Sequence, residues 1–160
     1  MDELARFELK RHARYPSPLA LGVLDADHFR HINTAHLLTG GDAVLQGLAR
    51  ILSTCIREVD SVGRVGGEEF LVIARETNGE GAVILAERIR STVESTPIVH
   101  QGQSIGITVS IGFAVAEVGV PAEYDEMYQL AAGALRQAKD EGRNRGIVRV
   151  IQPVASSPVA

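Results

Sequence analysis

The sequence predicts an α/β (α+β) chain with a mixed, mainly antiparallel central sheet flanked by helices. Three observations predict it. The run Leu19 to Leu24 is short and continuously apolar, which fits a strand buried on both faces. The run Arg64-Val65-Gly66-Gly67-Glu68-Glu69-Phe70 sets two glycines between extended segments, a hairpin signal, because glycine accepts positive φ without a Cβ clash. Helical segments over about 42–58, 79–95 and 123–141 separate the extended runs.

Taken in order, residues 2–14 have helical composition and stop before Tyr15-Pro16-Ser17-Pro18. A strand over 19–25 follows, then a short helix over about 28–36. In the helix over 42–58, Val44, Leu45, Leu48, Ile51, Leu52, Cys55 and Ile56 share one face at i, i+3, i+4 spacing. Residues 60–65 and 68–74 form the hairpin. In the helix over 79–95, Val83, Ala86, Ile89 and Val93 form the apolar face. Over 103–117, Ile105, Ile107, Val109, Ile111, Phe113 and Val115 alternate with small or polar residues, as a strand requires. The helix over 123–141 stops at Gly142. A last strand spans 146–151, so that 1–152 form a single domain and 153–160 a disordered tail.

Two places carry chemistry. Two glutamates beside a tight glycine turn suggest a metal or phosphate site more than a solvated loop. Asp25-Ala26-Asp27 closes the first strand, and an acid there sits at the sheet edge, where α/β folds tend to place ligands.

Composition bounds the rest. The 160 residues suit one domain with a real core, and 45% hydrophobic with 22% charged residues are typical of globular chains. A net charge of −4 gives no general electrostatic case for nucleic acid or an anionic membrane, so any phosphate site must be local. The single cysteine, Cys55, excludes an intramolecular disulfide and lies on an apolar face. No run resembles a signal peptide or a membrane span, so the domain is expected in the cytoplasm. A membrane-anchored full-length parent stays open.

Four stretches together resemble the GGDEF domain of diguanylate cyclases, in its GGEEF variant. They are Asp25-Ala26-Asp27-His28-Phe29-Arg30 with Ile32-Asn33 and Gly41-Asp42; Arg64 to Phe70; Thr108 to Ala114; and Ala138-Lys139-Asp140-Glu141-Gly142-Arg143-Asn144-Arg145. The resemblance covers about residues 4–150. It implies the palm-like fold shared with class III nucleotidyl cyclases, and condensation of two GTP to cyclic di-GMP across a homodimer. It also implies an upstream sensor domain, since family members carry a lead-in before the first helix and this chain starts almost inside it.

The resemblance implies residue roles. Asp25 and Glu68, with the main-chain carbonyl of Ala26, would hold Mg²⁺, with Mn²⁺ an open alternative because oxygen ligands accept both. Glu69 is a further ligand or a group assisting deprotonation. Asn33 and Asp42 match the guanine-reading pair, although Asp42 also fits a helix N-cap and Asn33 a helix end. Lys139 and Arg143, on one helical face at i, i+4, would grip the β- and γ-phosphates. Arg30 replaces the family's usual Lys and keeps the charge in a planar fork. Backbone N–H groups around Asp27, His28 and Phe29 add donors, with the Phe29 ring in the core. Arg57 and Asp60, with Arg88 as companion, match the inhibitory site for cyclic di-GMP; alone, Arg-x-x-Asp reads as a surface ion pair.

The chain departs from the pattern at His36-Leu37-Leu38, where the family has an aromatic-Gly-His, and at Ala131-Ala132-Gly133-Ala134-Leu135-Arg136, where an acid and a Tyr are absent. Thr39-Gly40-Gly41 is expected to restore flexibility to the first. These departures keep two alternatives open: a weakly active domain serving as a cyclic di-GMP receptor, and a GTP-binding regulatory module.

Overall fold

A computed structural model describes residues 1–153. The elements are α1 (Asp2–Arg14), β1 (Leu19–Ala26), α2 (Phe29–Cys55), β2 (Ser61–Gly66), β3 (Glu69–Arg75), α3 (Gly79–Ser95), β4 (Ile98–His100), β5 (Gln103–Ile105), β6 (Val109–Ala116), α4 (Tyr124–Asp140) and β7 (Arg145–Val150). Five strands form one sheet in the order β2-β3-β1-β6-β7, and β4-β5 form a separate hairpin. The β1–β3, β1–β6 and β2–β3 pairs are antiparallel and β6–β7 is parallel, the mixed and mainly antiparallel sheet the sequence predicts. Apart from Pro153, the predicted tail lies outside the described residues.

Each face of the sheet has its own core. On one face Val44, Leu48 and Leu52 of α2 and Ile89 and Val93 of α3 pack with Leu24, Phe70, Ile111 and Phe113. On the other, Ala5 and Leu9 of α1 and Met127, Ala131 and Leu135 of α4 pack with Leu21, Val23, Leu71 and Ile73. Burial on both faces explains why β1 and β6 read as almost wholly apolar. Gly112 lets α4 approach the sheet: a Cβ there would lie 2.1 Å from the Ala131 carbonyl oxygen. Cys55 is buried, as its apolar face predicts.

Five local expectations are corrected. Within α2 the helix predicted over 28–36 is present and is broken at Leu37, at φ 62° and ψ −179°, but the second helix begins directly after that break rather than at 42 and runs to Cys55. Gly40 and Gly41 are buried helical residues packed under His36 and Asn33, not a flexible loop. The stretch 103–117 is not one strand: residues 106–108 leave the sheet, and β5 turns back on β4 through Gln101 and Gly102, both at positive φ. Val83 faces solvent, because Ala82 and Leu85 set the phase of the buried stripe of α3 one residue earlier. The hairpin turn is Gly67-Glu68 rather than Gly66-Gly67, since Gly66 pairs with Glu69 as the last residue of β2.

Candidate active site

The site forms where β1 ends. Asp25 stands opposite Glu69 of β3 on one side and Ser110 of β6 on the other. The hairpin turn brings Glu68 to the same edge: Gly67 takes the first turn position at φ 49°, and Glu68, exposed, takes the second. Beyond the β1 end the chain turns sharply at His28, at φ 55°, and enters α2.

One concave pocket of about 240 Å³ is lined by Asp25, Ala26, Asp27, His28, Phe29, Arg30, His31, Glu68, Lys139 and Arg143. Residues from β1, the hairpin turn, the start of α2 and the end of α4 thus meet at one place. The structure also corrects how two of them arrive. Arg143 lies beyond α4, at φ 65°, so it does not share a helical face with Lys139. The Asp27 N–H donates to the Thr108 carbonyl at 2.9 Å, so it is not free to donate to a ligand.

The carboxylates are individually partnered. The Lys139 ammonium pairs with Asp25 Oδ2. The Tyr128 hydroxyl donates to Glu69 Oε1. That bond, with burial and the charges of Glu69, Asp2 and Asp25, pushes the Tyr128 hydroxyl up to about 12. Asp27 is buried and accepts from Thr108, Ser110 and the Asn144 N–H.

Asn33 and Asp42 do not line this pocket. Asn33 packs against the residue before Asp42: an added Cβ on Gly41 would lie 1.8 Å from Asn33 Oδ1 and 3.3 Å from Phe29 Cζ. Both lie inside α2, so Asp42 caps no helix and Asn33 ends none. Phe29 packs against the core formed by α2 and α3.

Arg57, Asp60 and Arg88 line a separate cleft, also of about 240 Å³, with Asn78 and Gly81 at the start of α3. Asp60 is buried and already accepts from the Arg57 main chain and side chain and from the Arg75 N–H. It is a scaffold for Arg57 rather than a free acceptor. The Arg57 guanidinium also reaches the Arg75 carbonyl and Thr77. Arg88 donates to the Cys55 carbonyl at 3.1 Å.

Sequence reading missed Tyr128 and the network around Asp27. Thr108 and Ser110 carry the signal for the network: two hydroxyls flank Val109 in an otherwise apolar stretch, and buried hydroxyls need partners. Tyr128 carries none, because nothing in its helix marks it out from a core aromatic.

Among the described residues no three His, Cys, Asp or Glu side chains gather as a metal cluster, and no helix is long and apolar enough to cross a membrane.

Residues 1–145 match the family described as "Diguanylate cyclase, GGDEF domain". The chain belongs to this family. Diguanylate cyclase A of Treponema denticola is 36% identical over 127 residues, covering 79% of this chain and 34% of that protein. This GGDEF domain therefore spans about a third of the length of that relative. Among solved structures, diguanylate cyclase SiaD of Pseudomonas aeruginosa, in complex with its activator SiaC, superposes with a TM-score of 0.85 at 31% identity, over 92% of this chain and 56% of that one. The active GGEEF domain of a diguanylate cyclase from Vibrio cholerae superposes with a TM-score of 0.76 at 33% identity, over 90% and 89%. The GGDEF domain has the family's α/β fold, with a mixed five-stranded sheet flanked by four helices.

Proposed function

We propose that this GGDEF domain, in the Gly-Gly-Glu-Glu-Phe variant, is a diguanylate cyclase that condenses two GTP into cyclic di-GMP and two pyrophosphates. One observation carries the reading. A single pocket at the sheet edge collects three carboxylates, Asp25, Asp27 and Glu68, and three cations, Arg30, Lys139 and Arg143, from elements far apart in sequence. A nucleoside triphosphate with its counter-ion needs that combination.

Each 3′-hydroxyl attacks the α-phosphate of the other GTP, and pyrophosphate leaves. Asp25, Glu68 and the Ala26 carbonyl suit Mg²⁺, a hard cation that keeps several waters and needs few protein ligands. Mn²⁺ suits the same oxygens. When bound, the ion supplies charge neutralisation and a lowered hydroxyl pKa. The Lys139 ammonium beside Asp25 marks this edge as a place for positive charge. Lys139, Arg143 and Arg30 hold the β- and γ-phosphates, and Asn33 and Asp42 orient the guanine. Glu69, which accepts from Tyr128 and lies next to Glu68 without lining the pocket, is the group assigned to take the hydroxyl proton.

One domain binds one GTP, so two copies must face each other, at least transiently. An upstream sensor domain would raise their effective concentration. Product returns to the cleft at Arg57 and Arg88, with Asp60 fixing the Arg57 fork. That cleft also supports a second reading, a receptor for cyclic di-GMP, in which the exposed Leu37 and Leu38 disturb the substrate side.

The test is the order of the rate in protein. Cyclic di-GMP formation that rises faster than linearly with domain concentration supports a facing pair, and strict proportionality contradicts it. No product, together with cyclic di-GMP binding that Arg57→Ala abolishes, favours the receptor.

A further inference from the structure

We infer that Asp27 is a positioning residue for the triphosphate: from the wall of the pocket, where it is buried, it fixes the turn that presents Arg143. The inference rests on the cyclase reading and assigns Asp27 a role distinct from that of Asp25.

Asp27 is 5% exposed and stands two residues beyond Asp25, in the space between three segments. Its Oδ1 accepts from Ser110 Oγ at 2.6 Å. Its Oδ2 accepts from Thr108 Oγ1 at 2.7 Å and from the Asn144 N–H at 3.0 Å. Both oxygens are committed to the protein, which leaves Asp27 poorly placed to ligate a metal.

The Asn144 bond is the informative one. After α4 the chain passes through Gly142, Arg143 and Asn144 at φ 121°, 65° and 50°. Left-handed backbone at two successive non-glycine residues is costly and persists only where its surroundings hold it. The Arg143 N–H donates to the Ala138 carbonyl at 3.0 Å, which ties the turn to α4. Asp27 ties it to the end of β1. The Asn144 side chain reaches Glu94 of α3, and Arg90 donates to it at 3.4 Å, which ties it to a third element. Arg143 is held between these anchors and lines the same pocket as Lys139 and Glu68. A buried carboxylate at the end of a strand thus sets where a guanidinium stands on the far side of the pocket.

The experiment measures binding of α,β-methylene GTP, which lacks the scissile bond, and of GMP, to wild type, Asp27→Asn, Arg143→Ala and the double variant, with Mg²⁺ present. An amide accepts at one oxygen only, so Asp27→Asn cannot accept from all three donors as the carboxylate does. The expected result is a loss on the order of ten-fold for the triphosphate, the scale of one charge-assisted hydrogen bond. GMP affinity stays unchanged, and Asp27→Asn causes no further loss in the Arg143→Ala background, because both act through one guanidinium. Equal losses for both nucleotides, no loss, or additive losses would overturn the role. Should Asp27→Asn fail to fold, Thr108→Val with Ser110→Ala keeps the carboxylate and removes two of its donors; a smaller loss with the same triphosphate selectivity is expected, and a loss without that selectivity overturns the role. A wild type that binds neither nucleotide would overturn the cyclase reading, and this inference with it.

Discussion

Asp25 and Glu69 stand directly opposite each other in the β1–β3 ladder, and α4 supplies each with its own partner, Lys139 for Asp25 and Tyr128 for Glu69. Like charges across an antiparallel pair repel. Tyr128 and Lys139 are about three helical turns apart, so one face of α4 answers both carboxylates. One turn earlier, Tyr124 donates to Asp2 of α1 at 2.9 Å. The helix that closes the second core therefore also organises the candidate site.

Tyr128→Phe removes the donor to Glu69 and is expected to lower stability by about 0.5–1.5 kcal/mol near pH 7, toward the lower end because the pair is only half-buried. The pH dependence has a sign. The folded hydroxyl is pushed from 10.0 up to about 12, so its contribution is full below pH 10.0 and is lost as pH rises toward 12. Urea unfolding across that window should show a shallower fall in Tyr128→Phe than in wild type. Tyr124, also shifted upward by burial and by Asp2, leaves a residual slope in both. An identical slope in the two proteins would contradict the assignment.

Leu37→Gly should stabilise the chain. Leu37 occupies φ 62° and ψ −179°, backbone that favours glycine, and is 72% exposed, so little packing is lost with its side chain. Relief of strain is worth about 1–3 kcal/mol. The added freedom of glycine in the unfolded chain costs about 0.5–1 kcal/mol. The net expectation is a gain of about 1 kcal/mol, read as a higher thermal midpoint. A lower midpoint would mean that Leu37 is held there by contacts it needs.

Gly112→Ala should destabilise by about 1–3 kcal/mol, because the added carbon would meet α4 backbone rather than a side chain that can turn away. Its second effect should be functional. Pushing α4 off the sheet moves Lys139 away from Asp25, so nucleotide affinity should fall along with stability. A destabilised variant with unchanged affinity would separate the helix contact from the site.

Much of this was legible in the sequence, for identifiable reasons. A strand ending in an acid and a glycine turn flanked by glutamates are local signals, and they placed Asp25, Glu68 and Glu69 at one edge. The strand order needed the structure, because β1 pairs with both β3 and β6 and periodicity names no partner. The break at Leu37 was legible as the end of the helix over 28–36, but the immediate restart of the helix was hidden, because Gly40 and Gly41 read as a loop and are buried helical residues. The helix-face argument for Lys139 and Arg143 failed at Gly142, where the chain reverses hand and delivers Arg143 to the pocket by a turn. The Asp27 network joins residues more than 80 positions apart and leaves only two hydroxyls as its trace.

The most direct test of the central claim incubates the purified domain, stripped of bound nucleotide, at high concentration with GTP and Mg²⁺ and separates the products by chromatography. The account predicts cyclic di-GMP from the wild type and none from Glu68→Gln, a substitution at an exposed turn that should leave the fold intact. Equal product from both proteins, or no product from a wild type that binds GTP, would contradict it.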